Sequence, residues 1–316
     1  MELKELNYVT AINECGSISK AAKKLSMAQS SLSHFLKNYE KQIGYEIFIR
    51  SNGGLRPTYE GELYLKAADS ILNIKKKLSN EIDDVSNLKR GKVIFSISSP
   101  KAPYLLPQVI PKFKEKYENI DVEIIEADIA YQETLLQHEK VDVALVSLPL
   151  VNTRLKYDLI FKEEVLLCAH KSFGLNKIAK TAGKTGKPWI DLNELKDLPF
   201  LTFNVSSLIM SELFDKVMKK YKDNLKINNT KNSFNTVLSL VKVGVGTTLM
   251  PELYTYKNKD LEYYSIGPEG LYRSLALAYP PSGYLSKATK VFSEIIMSSM
   301  REENIKSRNN YDIYKR

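Results

Sequence analysis

The sequence is short of the residue types that most often do chemistry. In 316 residues it has two cysteines, three histidines and one tryptophan. Cys15 and Cys168 stand far apart and in different predicted domains, so they make no disulfide framework, and such sparse usage suits a reducing cytoplasm. Cys15 reads as a small core residue at a helix end. Cys168 lies in an apolar predicted strand with no second cysteine in its domain to resolve a sulfenic acid, which argues against a peroxide sensor. His34, His138 and His170 fall in three different contexts, and no His/Cys/Asp cluster has metal spacing, so neither metal nor cofactor is expected. A G-x-S-x-G elbow and a phosphate-binding glycine loop are both missing. Gly244-Val245-Gly246 resembles a fragment of a dinucleotide motif, but it follows a predicted helix and precedes a strand, the wrong context. These absences argue against an enzyme.

Long apolar runs are missing too. None approaches the ~18 residues a membrane span needs. No secretory signal opens the chain, because Met1-Glu2-Leu3-Lys4-Glu5 leads straight into an amphipathic helix. A cytoplasmic protein with no membrane partner is expected. What the chain does have is a 43% hydrophobic fraction, enough for two or three folded domains, and a formal net charge of +9. The sequence pI of about 9.1 favours a polyanionic partner.

The chain is organised around residues 17–44. Ala21, Ala22 and Leu25 give one predicted helix a small flat face that a second helix can cross closely. Ser26-Met27-Ala28-Gln29 fits a capping box at the start of that second helix. Leu32, Leu36, Tyr39 and Ile43 then recur at helical spacing. The opposite face carries Gln29, Ser30, Ser33, His34 and Lys37, side chains of the kind that read base edges in a major groove. Two readings fit: a helix-turn-helix, or any αα-hairpin with a solvated face.

Residues 2–15 form a helix that precedes this pair. After it, Ile47-Phe48-Ile49, a turn at Asn52-Gly53-Gly54 and a return through Leu55–Thr58 make a hairpin, the wing of a winged helix. Arg50 and Arg56 flank the turn, where both can reach phosphate or the adjacent minor groove. Thr58 caps a helix running to about Leu88, whose Ala67, Ala68, Ile71, Ile74, Leu78, Ile82, Val85 and Leu88 make a coiled-coil seam. A helix of this length has no core of its own, so it must pair with a second copy.

Lys89-Arg90-Gly91-Lys92 marks the domain boundary. Beyond it strands and helices alternate, and Val143–Val146 is wholly apolar, as when both faces of a strand are covered. The pattern implies a mostly parallel sheet with helices on its faces. Strands are expected at Pro199–Phe203, Lys226–Thr230 and Thr247–Leu249, helices at Ser206–Tyr221 and Phe234–Val243, and a closing helix at Leu285–Met300 followed by a polar, fraying tail. Leu159–Ala169 is long for one strand and Glu262–Tyr279 breaks at Ile266-Gly267-Pro268, so these are read as two crossovers between subdomains.

The stretch from Leu3 to Leu72 resembles the DNA-binding domain and linker of the LysR-type transcriptional regulators. The matching residues are Leu6, Gly16-Ser17, Ala21-Ala22, Leu25, Gln29, Leu32-Ser33, Glu40, Gly44, Phe48, Arg50, Thr58, Gly61 and Leu72. Ser30, His34 and Pro57 depart from the residues usual there. The change at His34 removes a fixed cation from the recognition helix, which bears on base preference and not on fold. A looser resemblance covers the rest, through Leu106-Pro107, Phe113, Tyr117, Asp142, Pro199-Phe200, Val241, Gly244, Gly246 and Pro251. It implies a two-lobed α/β effector-binding domain like that of periplasmic solute-binding proteins. The implied division is 1–58 winged helix-turn-helix, 59–89 linker and dimerisation helix, 90–302 effector domain and 303–316 polar tail. Lobe I would take 90–165 with 267–302, and lobe II 166–266. Lys171–Pro188 departs from the family and reads as a flexible basic loop.

Ligands of open parallel sheets sit outside the carboxyl ends of strands. Ser98, Ser99, Lys101, Ser147, Phe203, Asn204, Ser206 and Thr247 occupy such ends here. Ser98, Lys101, Ser147, Asn204 and Ser206 match positions from which family members hold effectors. Each alone could be a cap or turn residue. Together their hydroxyls, amide and ammonium suit a small anion, with Lys101 and Asn204 expected exposed in the empty cleft. The resemblance further implies operator DNA read as an interrupted palindrome, homo-oligomers joined through the linker helix into dimers and tetramers, and RNA polymerase as a partner. The rival is a solute-binding module without gene control, which needs a secretory signal and leaves residues 1–88 unexplained.

Overall fold

The computed structural model describes residues 2–51, 54–85, 91–181, 184–195, 198–202, 226–229, 233–255 and 258–311. It forms two compact units, Met1–Val85 and Ser86–Arg316.

In the first unit, α1 (Leu3–Cys15) buries Leu6, Val9 and Ile12 and stops at Gly16, whose φ of 59° is left-handed. α2 (Ile18–Lys24) turns Ala21 and Ala22 inward, and α3 (Gln29–Ile43) turns Leu32, Leu36 and Tyr39 inward. The expected capping box at Ser26 does not form. Ser26 takes a left-handed φ of 53°, its N–H donates to Lys23 O at 3.2 Å, and the Met27 N–H donates to Ala22 O at 3.0 Å. That pair of bonds is a Schellman motif, so Ser26 ends α2 instead of starting α3. Ala28 takes the cap position of α3 with no side-chain bond.

β1 (Phe48–Ser51) and β2 (Gly54–Pro57) form the antiparallel wing. The Glu40 carboxylate of α3 accepts the N–H groups of Ile47 at 2.7 Å and Phe48 at 3.1 Å, tying the wing to the helix. α4 (Tyr59–Val85) starts as expected, with Thr58 Oγ1 accepting the Gly61 N–H at 2.9 Å. Only glycine fits at 61, because a Cβ there would lie 2.0 Å from Ile47 O. Tyr64, Leu65 and Ala68 close the core of the unit. Further along α4, Ile74, Leu78 and Ile82 are 68%, 56% and 57% exposed.

The second unit is built on β3 (Gly91–Ile97), β4 (Ile120–Glu126), β5 (Val143–Leu148), β6 (Lys156–His170), β7 (Trp189–Ile190), β8 (Pro199–Thr202), β9 (Lys226–Asn229), β10 (Thr248–Pro251), β11 (Leu261–Ile266) and β12 (Leu271–Tyr279). Its described helices are α5 (Ala102–Lys116), α6 (Ile129–Gln137), α7 (Phe234–Lys242) and α8 (Lys287–Tyr311). The main sheet runs β4-β3-β5-β12-β6-β11-β7, with β10 also on β6. It is mixed, not mostly parallel: β3, β4 and β5 are parallel, whereas β12 pairs antiparallel with both β5 and β6, and β6 with β10 and β11. The reason lies in β6 and β12. Each serves both lobes and runs from one to the other in opposite directions, so an antiparallel seam joins the two halves.

The lobes have separate cores. Val93, Phe95, Leu145, Leu275, Leu277 and Phe292 are among the residues packed together in one; Val165, Leu167, Leu192, Phe200, Leu249 and Tyr264 are among those in the other. Two elements differ from expectation. α8 continues to Tyr311 where a fraying tail was expected after Arg301, and residues 301–311 hold no Gly or Pro to stop it. The basic segment 171–188 is folded against lobe II at its described residues. It makes two short 3₁₀ turns, buries Leu175, pairs Lys180 with Trp189, and brings Lys187 Nζ within 2.8 Å of both Glu164 Oε2 and Glu252 Oε1. Carboxylates also hold Lys171 (Asp260 at 2.7 Å), Lys180 (Glu194 at 2.9 Å) and Lys184 (Glu269 at 2.8 Å).

Candidate DNA-reading face and effector cleft

Helical periodicity places Leu32, Leu36 and Tyr39 on one side of α3, so Gln29, Ser30, Ser33, His34 and Lys37 emerge on the other, and all five are exposed. The buried side is fixed by an aromatic ladder: Tyr8 on Phe35 at 5.0 Å, Phe35 on Tyr39 at 5.4 Å, and Tyr39 OH bonded to Tyr64 OH at 2.9 Å. His34 Nδ1 lies 3.1 Å from the Asn38 amide nitrogen, an i to i+4 pair that orients the ring along the helix. In the wing, Ile49 pairs with Arg56 and Arg50 with Leu55. Cross-strand partners share a face. The exposed arginines therefore emerge from opposite faces of the ribbon, Arg56 beside exposed Ile49 and Arg50 beside the half-buried Leu55.

In the second unit, Ser98 and Ser99 follow β3. The Ser98 carbonyl accepts the N–H groups of Lys101 at 2.8 Å and Ala102 at 3.2 Å, so this turn launches α5. Ser98 is half-buried and Ser99 exposed. Lys101, expected exposed, is 2% exposed, and its Nζ donates to Ser147 Oγ at 3.3 Å. The cause is a buried ionic cluster that sequence reading missed. Arg273 and Glu163 are cross-strand partners on β12 and β6, with Arg273 Nε donating to Glu163 Oε1 at 2.6 Å. Glu163 Oε2 accepts the Leu253 N–H at 3.2 Å, and Arg273 lies over the Tyr254 ring at 5.7 Å.

Burial pushes the Lys101 ammonium down to about 7; the Arg273 charge pushes it the same way, and Glu163 partly offsets them. Arg273 goes the other way. Burial works to lower it, and Glu163 and Tyr254 more than reverse that. The signal that could have found this cluster is an arginine inside the apolar run Leu271–Tyr279 and the Glu163-Glu164 pair inside the crossover strand.

The structure thus brings Ser98, Lys101 and Ser147 together. Thr247 is 1% exposed and its hydroxyl donates to Pro199 O at 3.3 Å. Phe203, Asn204 and Ser206 lie outside the described residues. Cys168 is fully buried and its thiol is pushed up to about 12 by desolvation, so it carries no thiolate to react with an oxidant. Among the described residues no three His, Cys, Asp or Glu side chains are grouped to hold a metal, and no helix is long and apolar enough to cross a membrane.

A three-helix head with an exposed polar recognition helix and a wing, followed by a two-lobed α/β domain, defines a DNA-binding regulator with a ligand-binding type of domain. Comparison with known proteins agrees. Residues 3–62 match the bacterial regulatory helix-turn-helix protein family, lysR type, and residues 86–301 match the LysR substrate binding domain. The chain belongs to the LysR family of transcriptional regulators. It is 25% identical over 313 residues to an uncharacterised HTH-type transcriptional regulator, YcgK, of Bacillus subtilis, covering 96% of each chain. It is 26% identical over 305 residues to a probable RuBisCO transcriptional regulator of Porphyra purpurea, covering 94% of this chain and 93% of the relative. Among solved structures, a cysteine-to-aspartate variant of full-length OxyR from Pseudomonas aeruginosa shares the fold, with TM-score 0.68, 20% identity, and coverage of 94% of this chain and 98% of that one. Full-length CbnR complexed with its target DNA does so with TM-score 0.62, 17% identity, and coverage of 95% and 100%. These relatives are regulators, not enzymes.

Proposed function

We propose that this regulator acts in the cytoplasm as a homo-oligomer on an interrupted palindromic operator and changes its hold on that DNA when a small anionic effector enters the cleft between its lobes. Residues 1–58 read DNA, 59–89 join the copies, and 90–302 sense the effector through lobe I (90–165 with 267–302) and lobe II (166–266). Residues 303–316 form a polar extension. Gln29, Ser30, Ser33 and His34 face base edges, while Lys37, Arg50 and Arg56 meet phosphates. Ser98, Ser99 and the start of α5 receive the effector on one lobe, with Lys101 and Ser147 beneath them. Phe203, Asn204, Ser206 and Thr247 complete the site from the other. Dimers form along the Ile74–Ile82 stripe and pair into tetramers, and the assembly works at promoters with RNA polymerase. Effector and DNA are coupled because a ligand biases a two-state assembly by its differential affinity.

The observation that carries the reading is the sidedness of α3, five polar side chains out and three large apolar ones in, within a chain of this family. The test uses a duplex selected from a random pool by the wild-type chain, beside an unselected duplex. Gln29→Ala is expected to weaken binding to the selected duplex by about 1–3 kcal/mol and to leave the unselected one nearly unchanged. Arg56→Ala weakens both and lowers the salt slope by about 1. Equal loss on both duplexes for Gln29→Ala would remove the base-reading role.

A further inference from the structure

A cavity lies in lobe II between β11 and the folded basic segment. It has a volume of about 340 Å³, within the ordinary range for a small-molecule site. It exists because β7 is short. β7 pairs with β11 only at Ser265 and Ile266, so the preceding part of β11, Leu261–Tyr264, is paired by β6 on one edge and by no described strand on the other, and it forms one wall. The opposite wall is the folded basic segment, through Ala179, Lys180 and Pro188.

The charge of the lining follows from its ion pairs. Lys180 Nζ is 2.9 Å from Glu194 and lies 4.7 Å from the Trp189 ring centroid. Lys187 Nζ is bonded to Glu164 and Glu252 at 2.8 Å each. Glu194, Glu164 and Glu252 are not themselves in the lining, so both lysines are neutralised from behind it. Glu262 is in the lining, and its partner is the hydroxyl of Tyr264 at 2.7 Å. That hydroxyl is held above its usual range by burial and by Glu262 itself, so it stays a neutral donor. A carboxylate paired with a neutral donor keeps its full charge. Lys180 is balanced by Glu194, Lys187 lies between two carboxylates, and Glu262 adds a further one, so the surroundings are net negative and Glu262 is the carboxylate in the lining itself.

We infer that this cavity is a second binding site, for a small organic cation: an amine on an apolar or aromatic body, its ammonium on Glu262 and its body against Ala179 and Pro188. Tyrosine faces add to the attraction for an ammonium. Such a site has the opposite charge preference from the cleft between the lobes, so one chain could answer two chemically different signals.

The test is calorimetric titration of the full-length chain with 2-phenylethylamine and, separately, with phenylacetate, which has a similar body and the opposite charge. The amine is expected to bind, with affinity falling at least ~10-fold in Glu262→Gln, which keeps an acceptor for Tyr264, and in Ala179→Phe, which fills the space. Lys101→Ala, in the other site, is expected to leave it unchanged. Thermal unfolding of each variant checks that the fold persists, and an Ala179→Leu variant replaces Ala179→Phe should that one not fold. No measurable amine binding by the wild-type chain, unchanged affinity in Glu262→Gln, or tighter binding of phenylacetate through the same residues would overturn the assignment.

Discussion

Lys187→Met tests whether the basic segment 171–188 is part of the fold. The lysine side chain is 8% exposed, and its partners Glu164 and Glu252 are 1% and 7% exposed. Methionine matches the length of the stem but leaves two carboxylates facing each other in a buried place. Breaking a buried ion pair from one side costs about 3–5 kcal/mol, because the remaining charge is neither paired nor solvated. At a urea dependence of about 2–3 kcal/mol per molar, that moves the unfolding midpoint down by about 1–2.5 M. The assay is built into the chain, since Trp189 is the sole tryptophan and lies two residues from Lys187. Its fluorescence in urea reports on this segment and on the lobe it packs against. The triple variant Lys187→Met, Glu164→Gln, Glu252→Gln removes all three charges and is expected to recover to within about 1–2 kcal/mol of wild type. A Lys187→Met midpoint equal to that of wild type would refute the reasoning and return the segment to a solvated loop.

Two further outcomes follow from the exposed seam and from the buried lysine. Leu78→Asp, in the exposed stripe Ile74, Leu78 and Ile82 of α4, is expected to weaken self-association at least ~10-fold in analytical ultracentrifugation while leaving the melting of the DNA-binding unit unchanged, and undiminished dimers would show that α4 is not the contact. Lys101 is held down to about 7 when folded against 10.5 when free, so above about pH 7 the unfolded chain binds the extra proton and stability rises with pH up to about 10.5; wild type is therefore expected to gain on Lys101→Met between pH 7 and 9, and a pH-independent difference would contradict the buried setting of Lys101.

What was legible in the sequence divides by distance along the chain. The recognition helix could be read because Leu32, Leu36 and Tyr39 repeat within a few turns and the polar face is their complement. The wing could be read from a local hairpin signal, and the cap at Thr58 from its three-residue reach to Gly61. Ser26 shows where local reading fails even at short range. The same serine fits a box that starts α3 and a left-handed stop that ends α2, and the stop makes two backbone bonds. The buried ion pairs were out of reach for a different reason. Lys187 meets partners 23 and 65 positions away, and Arg273 meets Glu163 across 110. No periodicity connects such residues, and a lysine-rich stretch without its partners reads as a loop.

The position of those ion pairs says why they are charged at all. Glu163 and Glu164 are neighbours on β6, so they leave the strand on opposite sides, one to Arg273 and the other to Lys187. They sit on the strand that runs from one lobe core to the other, where β12 also crosses. Apolar residues here could slide by one register and still be buried, whereas a charged pair is satisfied in one register only. Buried pairs add little net stability over well-packed apolar residues, so specificity is the better account of their presence. The Arg273 cluster gathers Lys101 from the start of α5, Ser147 from β5 and the Leu253-Tyr254 turn after β10, elements that belong to different lobes. A change in the charge or contacts of Lys101 is therefore felt at the seam itself, since Arg273 and Glu163 are the charged groups that act on it. The turn at Ser98 and Ser99 carries Lys101 into the crossing, so a change at that turn reaches the seam between the lobes without a long relay.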